Sequence, residues 1–370
     1  MRTKTITYHA SLNNGSFFQA YALQKTIESL GIENEILDIQ TPELKRDYAL
    51  FRKIHSVTDV AKNIISLMHY SKLKTRKEKF EKARRDYLKM SKEYDSLVSY
   101  LNENEPAENL FIAGSDQIWN TTASDFTDGY FLPGIKNKIT YSVSGGSHIS
   151  VDELRKYQKY ISEFKKISVR ENDFRQTLHE LGNEDIQVTV DPTLLLFKDD
   201  YLELISPTPF IKGKYIFLYS VKCNPEVMRF AKSISKEIGL PIYTIFNTYR
   251  SEKNRLYGIK NIYDAGPFDF LNIIENAEFV LSDSFHGNVF SVLMEKEFYY
   301  ISKMDVSGCM VRDDRIDGML EDLSLDDRKI SVRSVFQRKP METSHTENTR
   351  LIIQKFRSDS IDFLKRNIGI

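Results

Sequence analysis

Short apolar runs that end in polar turns, each followed by a helix-like stretch, recur along almost the whole chain. That alternation is the pattern of a parallel α/β sheet, because parallel strands need a long crossover between them. The clearest instance starts at Phe279, Val280 and Leu281. Ser282, Asp283 and Ser284, all helix-capping types, come next, and Val289, Phe290, Val292 and Leu293 supply an apolar helical face. The first unit has a strand at 3–8, a loop at 9–16 and a helix to about 30, with Ala20, Leu23, Ile27 and Leu30 on one face and Gly31 as its stop. Further strands are expected at 35–39, 110–113, 139–143, 166–169 and 188–190. A second series has strands at 215–221, 241–246, 278–282 and 298–301, and helices at 225–238 and 267–276. Residues 304–314 read as an irregular loop, and 343–367 have helical spacing.

These runs predict an α/β protein of two Rossmann-like domains facing across a cleft. The 370 residues suffice for two domains of ordinary size. The expected boundaries are 1–205 for an amino-terminal domain and 210–342 for a carboxyl-terminal one, with Pro207 and Pro209 in the linker. A tail helix at 343–370 is expected to pack back on the first domain. Residues 45–100 form a basic helical insertion in that domain, with 14 Lys and Arg against 5 Asp and Glu over 45–89. The insertion is either a solvated helical face or a basic surface for an anionic membrane or lipid-diphosphate acceptor.

Composition narrows the function. Apolar residues make up 41% of the chain and charged residues 28%, as in ordinary globular proteins. The net charge is zero, which argues against bulk nucleic-acid binding. Two cysteines, Cys223 and Cys309, build no disulfide framework and suit a reducing compartment. The seven His and two Cys show no metal-ligand spacing, so no metal is expected. No signal-peptide pattern and no apolar run of ~20 residues is visible. A cytoplasmic protein is expected, with peripheral contact at the inner face of the membrane through 45–89.

The polar turns sit where parallel α/β sheets bind ligands, at the carboxyl ends of strands. His286, at a strand end and helix start, can exchange a proton near neutral pH beside amides that favour an anion. Arg170 offers a planar fork for carboxylate or phosphate, or a salt bridge to Glu171 or Asp173. Asn13, Asn14, Gly15 and Ser16 can cradle an anion or sugar, or simply cap a helix; they are not a dinucleotide fingerprint. Ser115, Asp116 and Gln117 suit sugar hydroxyls, though Asp116 could also be a cap. Asp191 before Pro192 reads as a turn initiator. Trp119, the only Trp, reads as core rather than as a sugar platform.

Five segments in order resemble the polysaccharide pyruvyl transferase family. They are Asn14-Gly15-Ser16 with Gln19-Ala20-Tyr21-Ala22-Leu23-Gln24; Ile112-Ala113-Gly114-Ser115-Asp116-Gln117-Ile118-Trp119-Asn120; Ile167-Ser168-Val169-Arg170-Glu171; Asp191-Pro192-Thr193-Leu194-Leu195; and Ser282-Asp283-Ser284-Phe285-His286-Gly287. The resemblance implies a glycosyltransferase-B-like architecture. It also implies transfer of pyruvate from phosphoenolpyruvate to a sugar of a surface polysaccharide or its lipid-linked precursor, as a ketal. Arg170 and His286 are then expected to hold phosphoenolpyruvate, with Ser284, Phe285 and Gly287 around it. Asn13, Asn14, Gly15, Ser16, Ser115, Asp116 and Gln117 fall to the acceptor. His286 would act as general acid or phosphate ligand, and Asp116 as base or orienting group. Phosphoenolpyruvate is a co-substrate, and no cofactor is expected. The chain departs from the family at Ser16, where some members carry Asp, and at Ser142, Val143, Ser144, Gly145 and Gly146, which match loosely. Two other readings are a nucleotide-sugar glycosyltransferase of the same architecture and a non-catalytic carbohydrate-binding protein.

Overall fold

The computed structural model describes residues 2–106, 109–147, 149–220, 223–305, 307 and 309–370, with Thr343, Ser344 and His345 described by backbone alone. It divides into two compact units: Met1–Ala49, Glu81–Leu196 and Ile353–Ile370 form the first, Leu50–Phe80 and Phe197–Ile352 the second. The basic insertion expected in the first domain is therefore shared between the units. Its central part belongs to the second, where Leu50, Ile65 and Leu73 pack with Phe246 and Tyr263.

The first unit contains β1 (Arg2–Ile6), β2 (Glu33–Ile36), β3 (Asn109–Asp116), β4 (Lys138–Val143), β5 (Ile167–Val169) and β6 (Ile186–Val188). They form one sheet in the order β2-β1-β3-β4-β5-β6, parallel throughout. Both faces are buried, and β3 shows how. Phe111 and Ala113 join a cluster with Trp119, Phe131 and Phe174, while Leu110 and Ile112 face Leu23, Ile27 and Phe363. Strand alternation thus feeds two apolar layers, as a sheet covered on both sides requires. The carboxyl-terminal part of the Thr343–Ile368 helix completes the second layer with Phe363, Leu364 and Ile368. Arg357 fixes it by donating to the carbonyls of Leu194 and Leu196 at 2.8 and 2.7 Å.

The second unit contains β7 (Ile216–Tyr219), β8 (Ile242–Ile245), β9 (Lys260–Ile262), β10 (Phe279–Ser282), β11 (Phe298–Ser302) and β12 (Lys329–Ser331). Their order is β12-β11-β10-β7-β8-β9, again all parallel. The Pro225–Ile238 helix has Asn224 as cap and Pro225 at its first position, and it ends at Gly239 with φ +75°. Its Val227, Ala231 and Ile234 cover Ile216, Leu218, Phe279 and Leu281.

The sequence reading missed β9 and β12, whose three residues each are largely polar. The strand expected at 188–190 ends at Val188, and residue 221, expected to end β7, lies outside the described residues. Gly114 and Ser115, expected in a turn, continue β3. Gly114 allows this, because a Cβ there would lie 2.0 Å from the Tyr141 carbonyl oxygen. Gly287 serves a similar close approach: a Cβ would lie 2.3 Å from Ser282 Oγ and 2.8 Å from the Tyr219 ring. Gly287→Ala is expected to destabilise the protein by about 1–3 kcal/mol, the cost of overpacking a buried contact. Chemical denaturation checks this, and an unchanged midpoint would contradict it.

Candidate functional site

In each sheet the chain reverses its direction of strand addition once, and the crevice there is where open α/β sheets bind ligands. In the first unit the reversal lies between β1 and β3, and in the second between β7 and β10. Both crevices are bridged by a serine–aspartate hydrogen bond. Ser16 Oγ donates to Asp116 Oδ2 at 3.1 Å, and Ser220 Oγ donates to Asp283 Oδ2 at 2.9 Å.

The first crevice is built from the loop after β1. Asn13 caps the Asn14–Ser29 helix, its Oδ1 accepting from the amides of Gly15 and Ser16 at 2.9 and 3.5 Å. The capping reading therefore holds for Asn13, whose side chain takes amides that an anion would use. Asn14 and Ser16 are buried in the first helical turn. The loop is anchored by His9, with Nε2 2.9 Å from Asp38 Oδ1 and Nδ1 3.0 Å from the Thr7 carbonyl oxygen. Asp38 ionises below the ordinary aspartate range: burial opposes this, but hydrogen bonds from His9 and Gln40 and the charge of Arg84 outweigh it.

Asp116 ends β3 with φ +69°, and its Oδ1 accepts from the Gln117 amide at 2.9 Å. Ser115 is fully buried, and its hydroxyl donates to the Ser142 carbonyl at 2.7 Å. That corrects the expectation of a ligand contact there: Ser115 is part of the strand's internal bonding. Trp119 is likewise fully buried, stacked on Phe131 with its Nε1 donating to the Tyr130 carbonyl at 3.3 Å, so it is core.

Arg170, directly after β5, stands among carboxylates. Its Nε donates to Glu171 Oε1 at 2.7 Å and its Nη1 to Asp191 Oδ2 at 2.8 Å, with Asp116 Oδ1 3.8 Å away. Burial works against the charged guanidinium, yet Glu171, Asp191 and Asp116 overcome it and hold the charge more firmly than in a free arginine. Asp191 also accepts from the Thr193 amide at 3.0 Å, so it is both the expected turn initiator and a partner of Arg170. The acidic character extends further. Burial, then Tyr130, Asp125 and Asp116, push the Tyr8 hydroxyl far above its ordinary value. Burial also raises Asp125, with Asp116 and Asp47 adding to the effect. Sequence reading passed over Tyr8, Asp125 and Tyr130. All three lie outside the five segments, so only proximity in the fold shows them.

The second crevice has different electrostatics. Ser284 is the N-cap of the Phe285–Leu293 helix, and its side chain makes no capping hydrogen bond. The Ser284 amide donates to Ser282 Oγ at 3.0 Å. His286 lies in the first turn, 9% exposed, its ring 5.2 Å from that of Phe285. Asn288 Nδ2 donates back to the Ser284 carbonyl at 2.9 Å. A buried helix start carries partial positive charge on its first amides. This turn thus suits an anion, whereas the carboxylates of the first crevice repel one.

The model of the polysaccharide pyruvyl transferase family matches residues 13–303. The chain belongs to that family. Among solved structures, UDP-GlcNAc 2-epimerase from Methanocaldococcus jannaschii, in complex with UDP-GlcNAc and UDP, is similar with a TM-score of 0.54 at 13% identity, over 100% of this chain and 99% of that one. A calicheamicin glycosyltransferase gives 0.46 at 11% identity over 100% and 99%. At such identities the likeness concerns the fold alone, two α/β units each built on a six-stranded parallel sheet. A sequence comparison with curated proteins finds no match.

In this member of the family, the matched span contains every residue expected at the site from the sequence, Asn13 to Gly287. Arg170→Met should lower its stability by about 3–5 kcal/mol, because removing one partner strands the buried carboxylates. Adding Asp191→Asn should recover part of the loss, and equilibrium denaturation of the double-mutant cycle measures the coupling. Strict additivity would contradict the bridging role.

Proposed function

We propose that the protein transfers the pyruvyl group of phosphoenolpyruvate to two hydroxyls of a glycan, forming a ketal and releasing phosphate. The family membership supports pyruvyl transfer to a polysaccharide. The single observation that supports the donor assignment is His286 in the first turn of a buried helix start. Phosphoenolpyruvate carries two anionic groups, and that terminus is the more favourable of the two crevices for one of them.

The residues take the following roles. Phe285, His286 and Gly287, after Ser284, receive the phosphate. His286 delivers a proton to the methylene carbon or stabilises the departing phosphate. Glu171 and Asp191 fix the plane of the Arg170 guanidinium, which makes it a preorganised hydrogen-bonding group of the first crevice. Three carboxylates around one guanidinium mean that oriented hydrogen bonds, rather than net charge, are what Arg170 offers. Asp116, held by Ser16 and the Gln117 amide, accepts the proton of an attacking hydroxyl or orients it.

The atoms balance. Protonation of the methylene carbon gives a methyl group and an oxocarbenium-like centre. The first hydroxyl adds to that centre and loses its proton. The carbon–oxygen bond to phosphate breaks, and the second hydroxyl closes the ketal and loses its proton. One hydroxyl proton replaces the one delivered to carbon, and the other leaves with phosphate. No metal or cofactor enters the proposal.

Phosphate release from phosphoenolpyruvate in the presence of a glycan acceptor tests it. His286→Ala should lower kcat by ~10²–10⁴-fold with an unchanged Tm. Arg170→Lys should lower kcat/KM, since a point charge cannot replace the fork. A fully active His286→Ala protein would overturn the assignment.

A further inference from the structure

The Val57–Met68 helix has no buried residue, although its amino end is capped, with Ser56 Oγ accepting from the Asp59 amide at 3.2 Å. Most of its large apolar residues are gathered on one side. Val57, Val60, Ile64, Leu67 and Met68 span about 100° of the helix circumference. All five are exposed, from 39% at Val60 to 87% at Val57. The opposite side faces the body of the second unit. There Ile65 packs with Leu73, Phe246 and Tyr263, Lys62 Nζ lies 5.2 Å from the Tyr249 ring centre, and Asn63 exchanges two 2.9 Å hydrogen bonds with the Arg52 backbone. The helix is therefore held by Ile65 and its polar edge and presents its apolar stripe outward, the reverse of an ordinary surface helix.

The charges around the stripe say what fits it. Residues 50–77 contain seven Lys and Arg and a single carboxylate, Asp59. Lys53 precedes the helix, and Lys72 and Lys74 follow it, all exposed. A second copy of this chain would bring the same excess of positive charge against itself. An anionic lipid surface complements both features. Among the described residues no helix is long and apolar enough to cross a membrane.

We propose that this helix docks the protein on an anionic phospholipid surface. The five apolar side chains enter the boundary between headgroups and acyl chains, and the flanking lysines meet headgroup phosphates. This narrows the membrane expectation for residues 45–89 to one helix face, and it does not rest on the transfer reaction.

The test is co-sedimentation of the full chain with vesicles containing phosphatidylglycerol and with pure phosphatidylcholine vesicles, for wild type and an Ile64→Glu/Leu67→Glu double variant. Both substitutions are at exposed positions, so Tm and circular dichroism should be unchanged. The expected result is binding to anionic vesicles only, weakened by salt, and weaker by on the order of tenfold or more in the variant. No binding by wild type, or equal binding by the variant, would overturn the proposal. A wild-type dimer in light scattering that the variant splits would give the stripe to a second copy and overturn it equally.

Discussion

Parallel strands cannot be joined by tight turns, so every strand in both sheets hands the chain to a crossover before the next can pair. All ladders of the two sheets obey this. In each sheet, strand ends and helix starts therefore collect on one edge. The single reversal of strand order in each sheet opens a crevice on that edge, between β1 and β3 and between β7 and β10. Ser16 with Asp116 and Ser220 with Asp283 close the two crevices in the same way.

Similar topology has produced unlike electrostatics. In the first unit one guanidinium, Arg170, ties the ends of β3, β5 and β6 together through Asp116, Glu171 and Asp191. Such a buried arrangement is fixed in geometry and rich in acceptors, which suits hydroxyl groups. Its helix start already has its cap in Asn13. In the second unit the helix start carries His286, and its N-cap Ser284 makes no capping bond through its side chain. The contrast separates a hydroxyl-handling edge from an anion-handling one, and it supports different substrates for the two.

Much of this was legible in the sequence, for reasons that can be named. Strands such as β3 and β10 are apolar on both faces and end in capping residues, so period and punctuation agree. β9 and β12 were illegible because three residues, two of them polar, carry no period. The helices after residue 45 were harder: Val57–Met68 keeps its apolar stripe exposed, so its spacing does not tell a core face from a surface one. At the site, Asp116, Arg170 and His286 stand at strand ends, where chemistry was expected. The sequence named Glu171 as a partner of Arg170 but not Asp191, because that pairing joins residues 21 positions apart. Ser115 was misplaced because Gly114 lets the strand run on past the expected turn.

The most direct test is a titration of the protein with phosphoenolpyruvate and, separately, with a panel of nucleotide sugars, read as thermal stabilisation. A ligand that binds the folded state raises its stability as its concentration passes Kd. Pyruvyl transfer predicts stabilisation by phosphoenolpyruvate and none by the nucleotide sugars. Stabilisation by a nucleotide sugar alone would contradict it and make the protein a glycosyltransferase of the same architecture.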